Sequence, residues 1–158
     1  MDKRMLLLSA LTALILLPGL ALAQGPVQPQ DSDPSWHAAY WNNTTLAGAP
    51  VLERRETNLD HRWGGGSPDP LVRADGFSAR WTRYLDLAAG SYRFTTVSDD
   101  GLRLYVDGRL LIDEWNDHPP KTVVAEISLG AGHHMVVVEY YENTVDATVS
   151  VSWAPVSA

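Results

Sequence analysis

The chain reads as an all-β protein: an antiparallel β-sandwich or barrel, a single domain behind a cleaved signal peptide. Three observations predict this. Apolar residues recur at every second position, as in Phe77, Ala79 and Trp81 or Leu102, Leu104 and Val106, which is the period of a strand with one buried face. Turn residues punctuate these runs, and Asp107-Gly108 between LRLYV and RLLID is the strongest hairpin signal, because a two-residue type I′ turn needs positive φ at both central positions. Past the first 23 residues no stretch shows helical periodicity.

Residues 1–23 carry the pattern of an export signal. Lys3 and Arg4 supply its positive start, Met5 to Leu17 its apolar centre, and Ala21-Leu22-Ala23 a small-x-small cleavage site after Pro18-Gly19. The apolar run is shorter than the roughly 20 residues of a membrane span, and without cysteine no lipid can be attached at one. The expected location is therefore secreted, periplasmic or at the cell surface, with no membrane span after cleavage. Removing 23 of the 158 residues leaves 135, the size of one domain. With no disulfide available, stability must come from burial, strand pairing or a metal ion. A formal charge of −7 and the lack of a basic patch argue against nucleic acid or anionic lipid as partners.

Residues 24–34 (QGPVQPQDSDP) have little to bury and read as a disordered linker. The folded domain is expected over 35–155. Beyond the runs already named, period-two strands are expected around Tyr92, Phe94 and Thr96, from Met135 or Val136 to Tyr140, and through Val149, Val151 and Trp153. Ala89-Gly90, Gly130-Ala131-Gly132 and Glu142-Asn143-Thr144 break them. The segment His61 to Pro70, with three glycines and two prolines, cannot be a central strand and is expected to be a long surface loop.

Asp99-Asp100-Gly101 lies between two apolar runs. Adjacent carboxylates at a strand tip can hold a hard cation such as calcium; the same residues also serve as plain turn formers, because Asp tolerates left-handed backbone. Asp113 and Glu114, neighbours on a strand, point to opposite faces and cannot form the facing acid pair of a glycosidase. His133 and His134 fail as a joint metal site for the same reason, while His37, His61 and His118 lack any ligand spacing. There is no nucleophile elbow, cysteine nucleophile or phosphate loop, so catalysis is not expected. Of the six tryptophans, Trp81 and Trp153 alternate with inward residues and read as core, whereas Trp63 and Trp115 neighbour loops and are the candidates to stack on a ligand. Asn42-Asn43-Thr44-Thr45 holds two glycosylation sequons.

The segments His61-Arg62-Trp63-Gly64-Gly65-Gly66-Ser67-Pro68, Phe77 to Thr82, and Tyr92-Arg93-Phe94 followed by Ser98 to Gly108 resemble the protective-antigen N-terminal domain family, found in adhesins, a toxin component and some glycosidases. Leu111 to Trp115 and His133-His134 continue the resemblance in order. In the adhesin members the adjacent Asp pair is joined by a cis peptide and chelates calcium, which holds vicinal sugar hydroxyls. The resemblance thus implies calcium at Asp99 and Asp100, with Asn143 and Asp146 as further metal ligands from the loop before the last strand; together with the loop-side Trp115 and Trp63, the expected ligand contacts are Asp99, Asp100, Trp115, Trp63 and Asn143. The implied function is extracellular carbohydrate binding, with a glycan or glycoconjugate as partner. The alternative is a structural or protein-interaction module of the cell envelope, with another envelope protein as partner. Many members have glycine where this chain has Arg83, which is expected as a change in a turn.

Overall fold

The computed structural model describes residues 34–156. The expected signal peptide, and the expected linker up to its last residue, lie outside them. The described residues contain no helix and ten strands: β1 (Trp36–Trp41), β2 (Leu52–Glu56), β3 (Asp60–Gly64), β4 (Phe77–Leu87), β5 (Gly90–Asp99), β6 (Leu102–Val106), β7 (Arg109–Glu114), β8 (Lys121–Leu129), β9 (Gly132–Glu142) and β10 (Ala147–Pro155). They form two antiparallel sheets packed face to face, a six-stranded one in the order β2-β1-β4-β9-β6-β7 and a four-stranded one in the order β3-β10-β5-β8. This is the sandwich that the period-two pattern predicts.

The β4–β9 pairing fixes the larger sheet. It runs without interruption from Phe77 opposite Glu142 to Leu87 opposite Gly132. Because side chains alternate across a strand, this register sends Phe77, Ala79 and Trp81 of β4 and Val136, Val138 and Tyr140 of β9 into the core, all fully buried. Leu102, Leu104 and Val106 of β6 join them. From the smaller sheet come Tyr92 and Phe94 of β5 and Val149 and Val151 of β10. At the β6–β7 hairpin Asp107 and Gly108 have φ of 51° and 76°, the two positive values expected of the Asp-Gly turn.

One polar cluster ties the two sheets together within this core. The side chain of Glu56, 8% exposed, accepts hydrogen bonds from the Tyr40 hydroxyl and Arg54 Nε at 2.6 Å and from Trp81 Nε1 at 2.8 Å; His61 Nε2 of the opposite sheet lies 2.9 Å away. Burial pushes the carboxyl up, but the hydrogen bonds from His61, Tyr40, Arg54 and Trp81 outweigh it and hold the group down at about 2. On the outer face of the larger sheet a second buried acid, Glu139, bridges Arg80 (2.5 Å) and Arg103 (3.1 Å).

Two expectations need correction. His61 to Gly64 are not loop but part of β3, which pairs only with β10. An edge strand tolerates such a sequence because one side needs no ladder donors, and Gly65 to Pro70 then continue as turns and bends. Arg83 lies not in a turn but in the middle of β4, opposite Val136, where its guanidinium packs over Trp36 and Trp153 at 5.8 and 5.2 Å.

Glu56→Ala would remove the shared acceptor of four polar groups, of which Tyr40 and Trp81 are fully buried, and we expect a loss of about 3–5 kcal/mol in chemical denaturation at neutral pH. The pH dependence has a definite sign. A carboxyl held below its unfolded value of about 4.5 stabilises the fold fully above that pH and loses its contribution as pH falls towards about 2. Acid titration of unfolding should therefore show a wild-type stability loss in this window that Glu56→Ala lacks.

Candidate metal and ligand site

Three segments meet at one end of the sandwich: the β5–β6 tip, the β7–β8 connection and the β9–β10 connection. The peptide bond joining Asp99 to Asp100 is cis, the configuration that the resemblance implies. Gly101 follows because nothing larger fits. A Cβ there would collide with the Tyr141 ring, whose backbone N–H donates to the Gly101 carbonyl at 2.9 Å. Asp100, 6% exposed, is fastened at both oxygens: Oδ1 accepts from the His118 backbone N–H at 3.1 Å and Oδ2 from that of Asn143 at 2.9 Å.

The β4–β9 register adds a residue to this tip that sequence reasoning missed. Glu142 is the last inward position of β9, two residues beyond Tyr140, and is fully buried. One carboxylate oxygen from each of Asp99, Asp100 and Glu142 lies within 4.8 Å of the others. Glu142 Oε1 is buried and has no hydrogen-bond partner among the described residues. Its other oxygen, Oε2, lies 3.1 Å from the Tyr140 hydroxyl, but that hydroxyl also faces the Asp99 carbonyl oxygen and has a single proton to give. The site is therefore rich in acceptors and short of donors. Burial pushes the Glu142 carboxyl up to about 8, with the charges of Asp100 and Asp99 adding to it despite the Tyr140 hydrogen bond. Half-buried Asp99 is raised by burial and then by repulsion from Asp100 and Asp146, with His118 opposing.

The other expected residues fall at different depths. Asn143 reaches Asp100 through its backbone, while its side-chain Nδ2 donates to Asp117 at 2.8 Å. Asp146 is exposed beside the cluster, close enough to raise Asp99 but not one of the three grouped carboxylates. Between them Val145, 72% exposed, holds φ at 89°. A β-branched residue rarely adopts this backbone, and such strain concentrates at binding sites. Trp115 sits edge-on to Tyr141, centroids 4.8 Å apart, with the Arg103 guanidinium 3.9 Å above its ring. Trp63 is turned to the core instead: it packs against Tyr40 and Phe77 and stacks on His61 at 4.8 Å. It lies in β3 and not in a loop, two residues from His61 and on the same inward face.

The raised Glu142 carboxyl predicts a stability profile for the cation-free protein. A carboxyl that holds its proton more tightly when folded destabilises the fold as pH rises from its unfolded value of about 4.5 to about 8. In excess chelator Tm should fall across this range, and Glu142→Gln, which keeps the shape without the charge, should flatten that fall.

A family model described as the PA14 domain matches residues 33–157. The chain is 35% identical over 117 residues to anti-sigma-I factor RsgI3 of Acetivibrio thermocellus, an alignment that covers 73% of this chain and 18% of that protein. A solved anti-sigma factor domain-containing protein from Clostridium clariflavum is 31% identical at a TM-score of 0.71, over 77% of this chain and 42% of the other. The chain thus spans less than half the length of these relatives. The PA14 sugar-binding domain from an RTX adhesin shares the fold at a TM-score of 0.67 and 17% identity, over 77% of this chain and 90% of that one. With the sandwich, the adjacent Asp pair and a match along the whole described region, the chain belongs to the PA14 domain family.

Proposed function

We propose that this domain is an extracellular carbohydrate-binding module whose carboxylate cluster holds calcium and, through it, the vicinal hydroxyls of a sugar. The observation that carries this reading is the buried, unpartnered Oε1 of Glu142 in a group of three carboxylates within 4.8 Å of one another. Buried polar atoms are almost always satisfied, so an orphan of this kind calls for an explanation. A bound cation supplies one. It would also offset the repulsion among Asp99, Asp100 and Glu142.

The donor set selects the ion class. Carboxylate oxygens are hard ligands that suit calcium and magnesium better than softer metals, and calcium accepts 6 to 8 oxygens in flexible geometry. Asp99, Asp100 and Glu142 would hold it, with Asn143 and Asp146 near enough to contribute. Sugar hydroxyls can fill the remaining positions in pairs. Trp115 stands beside this cluster through Tyr141 and offers an apolar surface for a sugar ring.

The relatives and neighbours support the setting. Two relatives above 30% identity are an anti-sigma-I factor and an anti-sigma factor domain-containing protein, and a neighbour of the same fold is a sugar-binding domain. Among the described residues no helix is long and apolar enough to cross a membrane. The signal-peptide pattern of residues 1–23 fits a domain that works outside the cytoplasm, either secreted or at the cell surface. The competing role, a structural or protein-interaction module of the envelope without a sugar, would leave the Asp pair either metal-free or a purely structural ion site.

Calcium should bind with Kd of about 0.1–1 mM, the range of extracellular modules. By linkage, about 10 mM calcium then stabilises the fold by roughly 1.4–2.7 kcal/mol. Asp100→Asn and Glu142→Gln should each remove that gain, as read by thermal unfolding with and without calcium. A glycan screen in saturating calcium should return ligands with vicinal hydroxyls whose binding disappears in excess chelator. Binding that survives the chelator, or a screen with no ligand at all, would favour the interaction module.

A further inference from the structure

One residue outside the Asp pair and the β9–β10 loop connects all three segments of the site. Asp117, in the β7–β8 connection, accepts the Tyr141 hydroxyl at Oδ1 (2.6 Å) and the Asn143 side-chain N–H at Oδ2 (2.8 Å). Each donor leads directly to the Asp pair. Asn143 donates its backbone N–H to Asp100 Oδ2 at 2.9 Å, and Tyr141 donates its own to the Gly101 carbonyl at 2.9 Å. On the other side His118, the residue after Asp117, donates its backbone N–H to Asp100 Oδ1 at 3.1 Å. Asp100 is thereby held between two loops that Asp117 fastens to each other.

The Asn143 side chain has one atom able to ligate a cation, its carbonyl Oδ1. In a planar amide the NH2 and the oxygen point in different directions. A hydrogen bond that anchors Nδ2 on Asp117 therefore leaves Oδ1 turned away from Asp117. Without that anchor the amide is free to rotate and can present Nδ2, a donor, to the cation.

We propose that Asp117 is a positioning residue for cation binding: it fixes the Asn143 amide and locks the β7–β8 connection, with Trp115, onto the carboxylate cluster without itself ligating the ion. This rests on the cation reading above. Partners that orient ligands from outside the coordination shell typically change metal affinity by about 10–100-fold when removed. An amide at position 117 can still accept from one donor but not from both, so Asp117→Asn breaks the link while keeping the side-chain shape.

The test uses the full chain, with calcium alone as the probe, titrated by calorimetry at low salt and at about 0.5 M salt, where long-range charge effects are screened. For Asp117→Asn we expect calcium affinity to fall about 10–100-fold at both salt concentrations, with Tm in chelator close to wild type because Asp117 is exposed. Asp113→Asn removes an exposed carboxylate from neighbouring β7 and controls for net charge, with affinity expected within about twofold of wild type. Tyr141→Phe keeps the ring against Gly101 and removes only the donor to Asp117. It provides a second reading should Asp117→Asn fail to fold, with affinity expected severalfold below wild type. Wild-type affinity in Asp117→Asn, or a loss that vanishes at high salt, overturns the positioning role while calcium binding by the unmodified chain stands. No calcium binding by the unmodified chain overturns both.

Discussion

Core and site both depend on the register of β9 against β4. Eleven consecutive pairs, from Phe77 opposite Glu142 to Leu87 opposite Gly132, decide which side chains of β9 face inward. Val136, Val138 and Tyr140 fill the core, and the next inward position is Glu142. Glu139 and Tyr141, on the other face, meet Arg80 and the ring of Trp115 respectively. A slip of one residue would turn the second set towards the core between the sheets and the first set out of it. The same ladder that makes the sandwich thus delivers a carboxylate to its end, behind the Asp99–Asp100 tip.

A buried acid is tolerated when its surroundings supply protons or cations. Glu56 and Glu142 show the two outcomes in one fold. Glu56 is ringed by Tyr40, Arg54, His61 and Trp81 and stays ionised well below the usual carboxylate range. Glu142 has a shared hydroxyl and two neighbouring aspartates, and its carboxyl is pushed up to about 8. One environment completes itself, and the other lacks positive charge that the chain does not provide. Backbone N–H groups from His118 and Asn143 satisfy Asp100, but none reaches Glu142 Oε1. On the proposed reading, a divalent ion would supply the charge that this cluster lacks.

The strands around Phe77, Tyr92, Leu102, Val136 and Val149 were legible because each alternates cleanly, and the Asp-Gly turn because its chemistry permits few alternatives. β2 was not, since LERRE puts Arg54 and Glu56 inward and meets their burial with a charge cluster no hydrophobic pattern reveals. β3 was hidden by the glycines that follow it, and with it the inward turn of Trp63. At the site the Asp pair was visible through the resemblance. Glu142 was not: it reads as the first polar residue of a loop, although continuing the alternation Val136, Val138, Tyr140 by one step points to it. Asp117 left no local signal. Its partners are 24 and 26 residues away, and only the folded chain brings them together.

If Asp99, Asp100 and Glu142 form one cation site, an ion should be visible among their oxygens. A crystal structure determined from crystals grown in calcium tests it most directly. The expected result is a single strong calcium peak bounded by oxygens of Asp99, Asp100 and Glu142, with Glu142 Oε1 within about 2.3–2.6 Å of the ion. A vacant cluster at calcium concentrations well above about 1 mM, or an ion held elsewhere while Glu142 Oε1 remains without a partner, would contradict it.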